Sequence, residues 1–248
     1  MVCAQQIRQL LQQKIPVFAY NIIDSTNEAA RRFLQENACD RAVFVADGQT
    51  AGKGRLGRSF YSPADTGLYM TYVFRADNFS RETLRITTAA SVAVAQALDC
   101  GARIKWVNDL YLHGKKICGI LTEMVVTDCT YVLVGIGINL TTAQFPEDLQ
   151  HKAGAVGAPL CREALAADIC DRLAQAVDSL AVPTYLDYYR QNMLGLGQEI
   201  TYIEDGIPHN ARMTGITDWG ELIVLEEGRE RLLCSGEISL RIPGAALL

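Results

Sequence analysis

The chain has 248 residues, of which 49% are hydrophobic and 21% charged, and its mean hydropathy is +0.08. A chain of this length buries a sizeable core without disulfides or metals, as one large domain or one domain plus a small one. A net charge of −5 and a pI near 5.3 argue against a basic nucleic-acid-binding surface, and no apolar run reaches the roughly 18 residues that span a bilayer. The N-terminal stretch MVCAQQIRQLLQQK is polar and amphipathic and lacks a signal-peptide apolar segment, so the expected compartment is the cytoplasm.

In chain order, a short helix is expected near 4–14 and a strand over 17–23. Ser25 and Glu28 then stand at capping-box spacing ahead of the apolar positions Ala29, Ala30, Phe33 and Leu34. Residues 43–46 read as a buried strand, followed by a Gly- and Arg-rich loop and a β-rich run at 68–75. A helix dense in alanine and valine covers 81–99, strands follow at about 103–107, 116–125 and 130–137, and helices near 161–180 and 184–192. Composition changes at 192–197; beyond it come only short strands with turn signals at Asp205-Gly206, Trp219-Gly220 and Gly228. The reading is an α+β catalytic domain over 1–194 and a small β-barrel domain over 195–248.

The cysteines contain no C-x-x-C pair and the three histidines are isolated from one another, so a zinc enzyme is not expected. Cys118, Cys129 and Cys170 lie in apolar runs and read as small core residues.

The segment 48–58 resembles two nucleotide motifs and satisfies neither. Gly52, Gly54 and Gly57 match G-x-G-x-x-G, but turn and strand residues follow where a dinucleotide site needs a helix. A P-loop needs four residues between its first glycines and Ser or Thr after Lys; here three intervene, and Gly54 follows Lys53. What remains is a loop with Lys53, Arg55 and Arg58 closely spaced. Glycines let the backbone approach a ligand and guanidinium forks suit phosphate oxygens, although a solvated basic loop has the same composition. A second polar group, Asn108, Asp109, Lys115 and Lys116, brackets a hairpin that would bring Lys116 back beside 105–109.

Taken together, the ordered set Ser25-Thr26-Asn27, Gln49 to Arg58, Lys105-Trp106-x-Asn108-Asp109, Lys116-x-x-Gly119-Ile120-Leu121 and Gly135-x-Gly137-x-Asn139 resembles biotin protein ligases. The tail 236–241, GEISLR, also looks like the end of that family's C-terminal barrel. The resemblance implies a mixed sheet flanked by helices, of the class II aminoacyl-tRNA synthetase/biotin ligase type, with a small SH3-like barrel. It implies formation of biotinyl-5′-adenylate from biotin and ATP with Mg²⁺, then transfer of biotin to a lysine of a biotin carboxyl carrier domain.

By resemblance, Ser25, Thr26, Asn27, Gln49, Lys53, Gly54, Arg55, Lys116 and Gly119 would line the biotin site. Arg55, Arg58, Phe60, Lys116 and Asn139 would contact the nucleotide, with Asn139 near its metal. Arg55, Lys116 and Asp109 would carry the chemistry, Asp109 where the acceptor lysine arrives. Lys53, Phe60 and Val107 replace the Arg, Trp and Pro common in the family, and no chemical role is lost with them. Only about 20 residues precede the first motif, and a DNA-binding winged helix needs on the order of 60. The chain therefore resembles the monofunctional class, with neither DNA nor membrane expected as a partner; the family also admits a homodimer. Two alternatives stand beside this reading: a lipoate–protein ligase, although the RRxxGGG signature is absent, and a non-catalytic sensor of biotin or its adenylate.

Overall fold

In the computed structural model, residues 1–76, 83–180, 182–234 and 237–240 are described. Helix α1 (Ala4–Leu10) precedes β1 (Val17–Ile23), α2 (Thr26–Glu36), β2 (Arg41–Gln49) and β3 (Gly67–Arg75). Then come α3 (Thr83–Leu98), β4 (Arg103–Lys105), β5 (Asp109–Leu112), β6 (Lys115–Val126) and β7 (Thr130–Asn139), followed by α4 (Arg162–Asp178) and α5 (Tyr185–Asn192). These strands form one seven-stranded mixed sheet in the order β1-β2-β3-β7-β6-β5-β4, with β1 and β2 parallel and every other pair antiparallel.

Strand periodicity decides what each face of the sheet meets. Val43 and Val45, Leu68 and Met70, and Val132, Val134, Ile136 and Ile138 bury against the α3 and α4 side in the main core. The alternate positions, Ala42, Phe44, Val73, Tyr131 and Leu133, pack under α2 with Ala29, Ala30 and Leu34. Full burial of each large aliphatic side chain contributes about 1.5–3 kcal/mol, so both faces are firmly specified. Further along β7, the α2-side positions become Gly135, Gly137 and Asn139. The apolar packing stops there and the polar site begins.

The C-terminal strands are β8 (Glu199–Glu204), β9 (Ile207–Ile216), β10 (Leu222–Glu226), β11 (Arg229–Leu233) and β12 (Glu237–Leu240). They form a five-stranded antiparallel sheet, ordered β11-β10-β9-β8-β12, that fits a small SH3-like domain. Its hairpins turn at Asp205-Gly206 and Glu227-Gly228, each with positive φ at both residues, as a type I′ turn requires. Ile200, Tyr202, Met213 and Val224 join the main core. The 217–220 turn is seated on α3 and on the β4–β5 turn: Trp106 Nε1 donates to Gly220 O at 2.9 Å, and the Arg85 guanidinium lies 4.5 Å above the Trp219 ring.

Several sequence expectations need correction. The first helix ends at Leu10, because Gln12 turns its N–H to Asp171 and Pro16 disfavours helix at Ile15. The strand expected at 43–46 runs over Arg41–Gln49, carrying Gly48 and Gln49 into the sheet. The expected 103–107 strand stops at Lys105, and a separate four-residue strand, β5, follows the turn. Cys118 and Cys170 are buried as expected, whereas Cys129 is half-buried beside the β6–β7 turn. Residues 81–82 of the expected long helix, and 236 and 241 of the GEISLR tail, lie outside the described residues.

Candidate functional site

The floor of the site is cut by strand glycines. A Cβ on Gly135 would stand 2.3 Å from Asn27 Oδ1, and one on Gly137 would stand 2.4 Å from Phe60 Cε1. On Gly119, paired with Gly137, it would lie 3.2 Å from both Phe60 Cε2 and Lys116 Nζ. These glycines provide clearance: the Asn27 amide and the Phe60 ring lie directly on the strands. Phe60 also meets Tyr69 edge-on, with centroids 6.5 Å apart, and burial pushes the Tyr69 phenol up to about 12.

Ser25, Thr26 and Asn27 open α2 and are all buried. The expected capping box does not form: Ser25 makes no side-chain cap, and Glu28 instead meets Lys53 of the glycine loop. That contact, larger than the opposing effect of burial, holds the Glu28 carboxyl below its usual range. Gln49 supplies the cap in its place, its Oε1 accepting from Thr26 N–H at 2.8 Å and from the Thr26 hydroxyl at 3.2 Å. Its Nε2 donates to Ser62 Oγ at 2.9 Å, which leaves one amide hydrogen for a ligand. Asn27 is held between Thr71, whose hydroxyl donates to Oδ1 at 2.5 Å, and Glu123, which accepts from Nδ2 at 2.7 Å.

The glycine loop closes on itself through Gly54 N–H to Arg58 O at 2.8 Å and Phe60 N–H to Gly52 O at 2.8 Å. A 3₁₀ turn over Arg55–Gly57 sits at its tip, with Leu56 and Gly57 at φ of 56° and 73°. Arg55 is directed by Asn108, whose Oδ1 accepts from Nη1 at 3.1 Å. Asn108 is pinned in turn by Nδ2 to Ile120 O at 2.7 Å, while its own carbonyl accepts from Ile120 N–H at 3.0 Å. Asn108 thereby extends the pairing with β6 by one residue ahead of the start of β5.

Lys116 and Asp109 face each other at 2.7 Å, Nζ to Oδ1, across the β5–β6 hairpin. That hairpin turns at His113-Gly114, both at positive φ. Asn139, at the end of β7, donates from Nδ2 to Gly154 O at 3.0 Å, while its buried Oδ1 has no hydrogen-bond partner. The 149–156 segment is tied to the same two strands, through Lys116 N–H to Lys152 O and Val156 N–H to Asn139 O. A neighbouring cavity of about 790 Å³ is lined by Arg55, Leu56, Thr87, Leu121, Trp219 and Glu221, among others, and is of a size that takes a small-molecule ligand.

Two groups of the expected residues are therefore assembled: Thr26, Asn27 and Gln49 in one hydrogen-bonded set, and Lys116 with Gly119 and Phe60 on the glycine floor. Lys53 is drawn to α2 through Glu28. The tip of the loop carries Arg55 to Asn108, and Arg58 stands at the loop's closing rung. The sequence reading did not single out Thr71, Ser62, Arg31 or Glu123. Each is an ordinary polar residue in a strand, loop or helix pattern, and only the strand register brings Thr71 and Glu123 beside Asn27.

Among the described residues, no group of three or more His, Cys, Asp or Glu could hold a metal ion, and no helix is long and apolar enough to cross a membrane. A mixed sheet flanked by helices, with this face and a small antiparallel sheet appended, is the biotin ligase catalytic fold. Residues 19–139 match the Biotin/lipoate A/B protein ligase family, so this part of the chain carries a domain of that family.

The chain is 37% identical over 142 residues to the bifunctional ligase/repressor BirA of Bacillus subtilis (strain 168), covering 54% of this chain and 44% of that protein. It thus spans less than half the length of that relative. With the bifunctional ligase/repressor BirA of Escherichia coli (strain K12) it shares 28% identity over 233 residues, 89% of this chain and 72% of that protein. The biotin protein ligase from Aquifex aeolicus, solved in complex with biotin and ATP, superposes with a TM-score of 0.78 at 27% identity, covering 91% of this chain and 98% of that one.

Proposed function

We propose that this protein activates biotin with ATP to biotinyl-5′-AMP and transfers biotin to a lysine of a biotin carboxyl carrier domain. The observation that carries the reading is the ion pair of Lys116 with Asp109, set beside the Gly119–Gly137 floor. One cation and one carboxylate at a single point are what two successive steps need. The chain's likeness to a ligase solved with biotin and ATP supports the substrate pair. We assign residues 1–194 to the ligase domain and 195–248 to the barrel.

In the first step a carboxylate oxygen of biotin attacks the α-phosphorus of ATP, and pyrophosphate leaves. Two unit charges about 4 Å apart repel by roughly 4 kcal/mol at an effective dielectric of 20. Lys116, with Arg55 from the loop, offsets that repulsion where negative charge develops. Arg58 serves the phosphates, and Phe60 gives the base an aromatic face. Thr26, Asn27 and Gln49 hold the ureido ring, Ser25 and Gly54 supplying backbone beside it. Mg²⁺, when bound, would neutralise phosphate charge; with no carboxylate cluster among the described residues, the nucleotide oxygens would hold most of it and Asn139 Oδ1 would be the open protein oxygen.

In the second step the acceptor amine attacks the acyl carbon and AMP leaves. A free lysine has a pKa near 10.4, so a proton acceptor at the point of attack is required, and Asp109 is the carboxylate available there. Pairing with the phosphate draws Lys116 away from Asp109, which exposes the carboxylate once an adenylate is present. Biotin-dependent release of pyrophosphate from ATP tests the first step. Release driven by lipoate and not by biotin would overturn the reading.

A further inference from the structure

We propose that Glu123 is a positioning residue that fixes which atoms of Asn27 face the ligand. The inference deepens the biotin reading and rests on it. An asparagine amide has two orientations of nearly equal shape and opposite hydrogen-bond polarity. Asn27 is 4% exposed and lies flat on Gly135, so its neighbours alone select between them.

The selection is made by Glu123, whose far oxygen is held by Arg31, one turn further along α2 from Asn27. Its guanidinium is donor only and binds Glu123 Oε1 at 3.1 Å. Glu123 is acceptor only as a carboxylate, so its Oε2, 2.7 Å from Asn27, requires the amide nitrogen on that side. Asn27 Oδ1 then points to Thr71, whose buried hydroxyl is placed to donate to it at 2.5 Å and shares its one proton with Thr26 Oγ1 at 2.9 Å. One amide hydrogen and one lone pair of Asn27 remain, and their placement is set by this chain. A ureido ring edge, with adjacent N–H and C=O groups, reads such a pair in one sense only. Reversing the amide exchanges donor for acceptor and sets its oxygen against the Glu123 carboxylate oxygen.

Glu123→Gln keeps the shape and inverts the logic. Arg31 takes the new amide's oxygen, its Nε2 faces Asn27, and Asn27 turns over. Arg31→Met added to Glu123→Gln frees that oxygen to return to Asn27 and restores the native polarity.

The experiment is calorimetric titration of biotin into wild type, Arg31→Met, Glu123→Gln and the double variant, each shown to be folded by thermal unfolding. Glu123→Gln is expected to weaken binding about tenfold, as for a buried polar group left mispaired. Arg31→Met and the double variant stay within about threefold of wild type, so the second substitution repairs the first. A Glu123→Gln protein that binds like wild type, or a double variant no tighter than Glu123→Gln, overturns this proposal alone. Absence of biotin binding by the wild-type chain overturns the functional reading as well.

Discussion

Lys116 Nζ and Asp109 Oδ1 lie 2.7 Å apart, held there by a hairpin whose strands pair Asp109 with Gly119 and turn at His113-Gly114. Both side chains are less than one-third exposed, so the pair is partly buried without being sealed from solvent.

Separating the two steps should separate these two residues. Lys116→Ala should slow adenylate formation by about 10²–10³-fold, the usual cost of removing one preorganised group that meets developing charge. ATP binding should weaken far less. Asp109→Asn should leave adenylation near the wild-type rate and slow transfer to the carrier. Single-turnover assays that follow biotinyl-adenylate and biotinylated carrier separately resolve the two; equal losses in both steps for Asp109→Asn would contradict the division of labour.

The loop should fail as a cover if Arg55 is lost. Arg55→Gly is expected to leak biotinyl-adenylate and label bystander lysines. Asn108→Ala should do the same more weakly, because it removes the 3.1 Å contact that directs Arg55 and not the cation itself. It also orphans Ile120 O, at a cost of about 1–3 kcal/mol in stability. Mass spectrometry of a bystander protein in the same tube provides the check; labelling confined to the carrier for both variants would count against it.

The glycine floor makes a packing prediction. Gly137→Ala places a methyl group 2.4 Å from the Phe60 ring, so the ring must shift, with an overpacking cost of about 1–3 kcal/mol. The KM for ATP should rise with it. Phe60→Ala removes the obstacle, so the double variant should be more stable than the two single losses add up to. Thermal unfolding of the four proteins reads this directly, and strict additivity would show that the ring and the glycine do not meet.

Acid should act on the anchor that precedes the site. Arg32 donates both Nη groups to Asp24, and this, more than any other neighbour, holds the Asp24 carboxyl at about 2, below the usual 3.8. A folded value below the unfolded one means that the pair stabilises above about 3.8, and that this stabilisation is lost as pH falls through 2. The pair is half-exposed, so the effect is small and screened by salt. The Tm difference between wild type and Asp24→Asn should therefore shrink from pH 5 to pH 2 and in high salt. A difference that stays constant over that range would refute the pairing.

Much of the fold was legible because it rests on periodicity. The nearly unbroken apolar run of 130–138 reads as a strand covered on both faces, and the alanine-rich run after residue 83 as a buried helix. The proximity of Lys116 to Asp109 followed from hairpin geometry alone. Strand β5 is hidden in the sequence because four residues carry too little pattern, so the partner expected for β6 is the preceding 105–109 run. Ser25 and Glu28 do have capping-box spacing, but spacing cannot show that Lys53 folds back to claim Glu28 while Gln49 takes over the cap. Glu123 was silent for a similar reason. Its partner Asn27 is 96 residues away, joined to it only by the register of β6 on β7 and the seat of α2 on the sheet.

The most direct measurement is the intact mass of a biotin carboxyl carrier domain after incubation with this protein, ATP and Mg²⁺, with biotin in one tube and lipoate with a lipoyl domain in another. The account predicts that one biotinyl group is added to the carrier, that Lys116→Ala slows the appearance of the shift by about 10²–10³-fold, and that the lipoyl domain is unchanged. An unmodified carrier beside a lipoylated domain, or biotinyl-adenylate that forms and is never transferred, would contradict it.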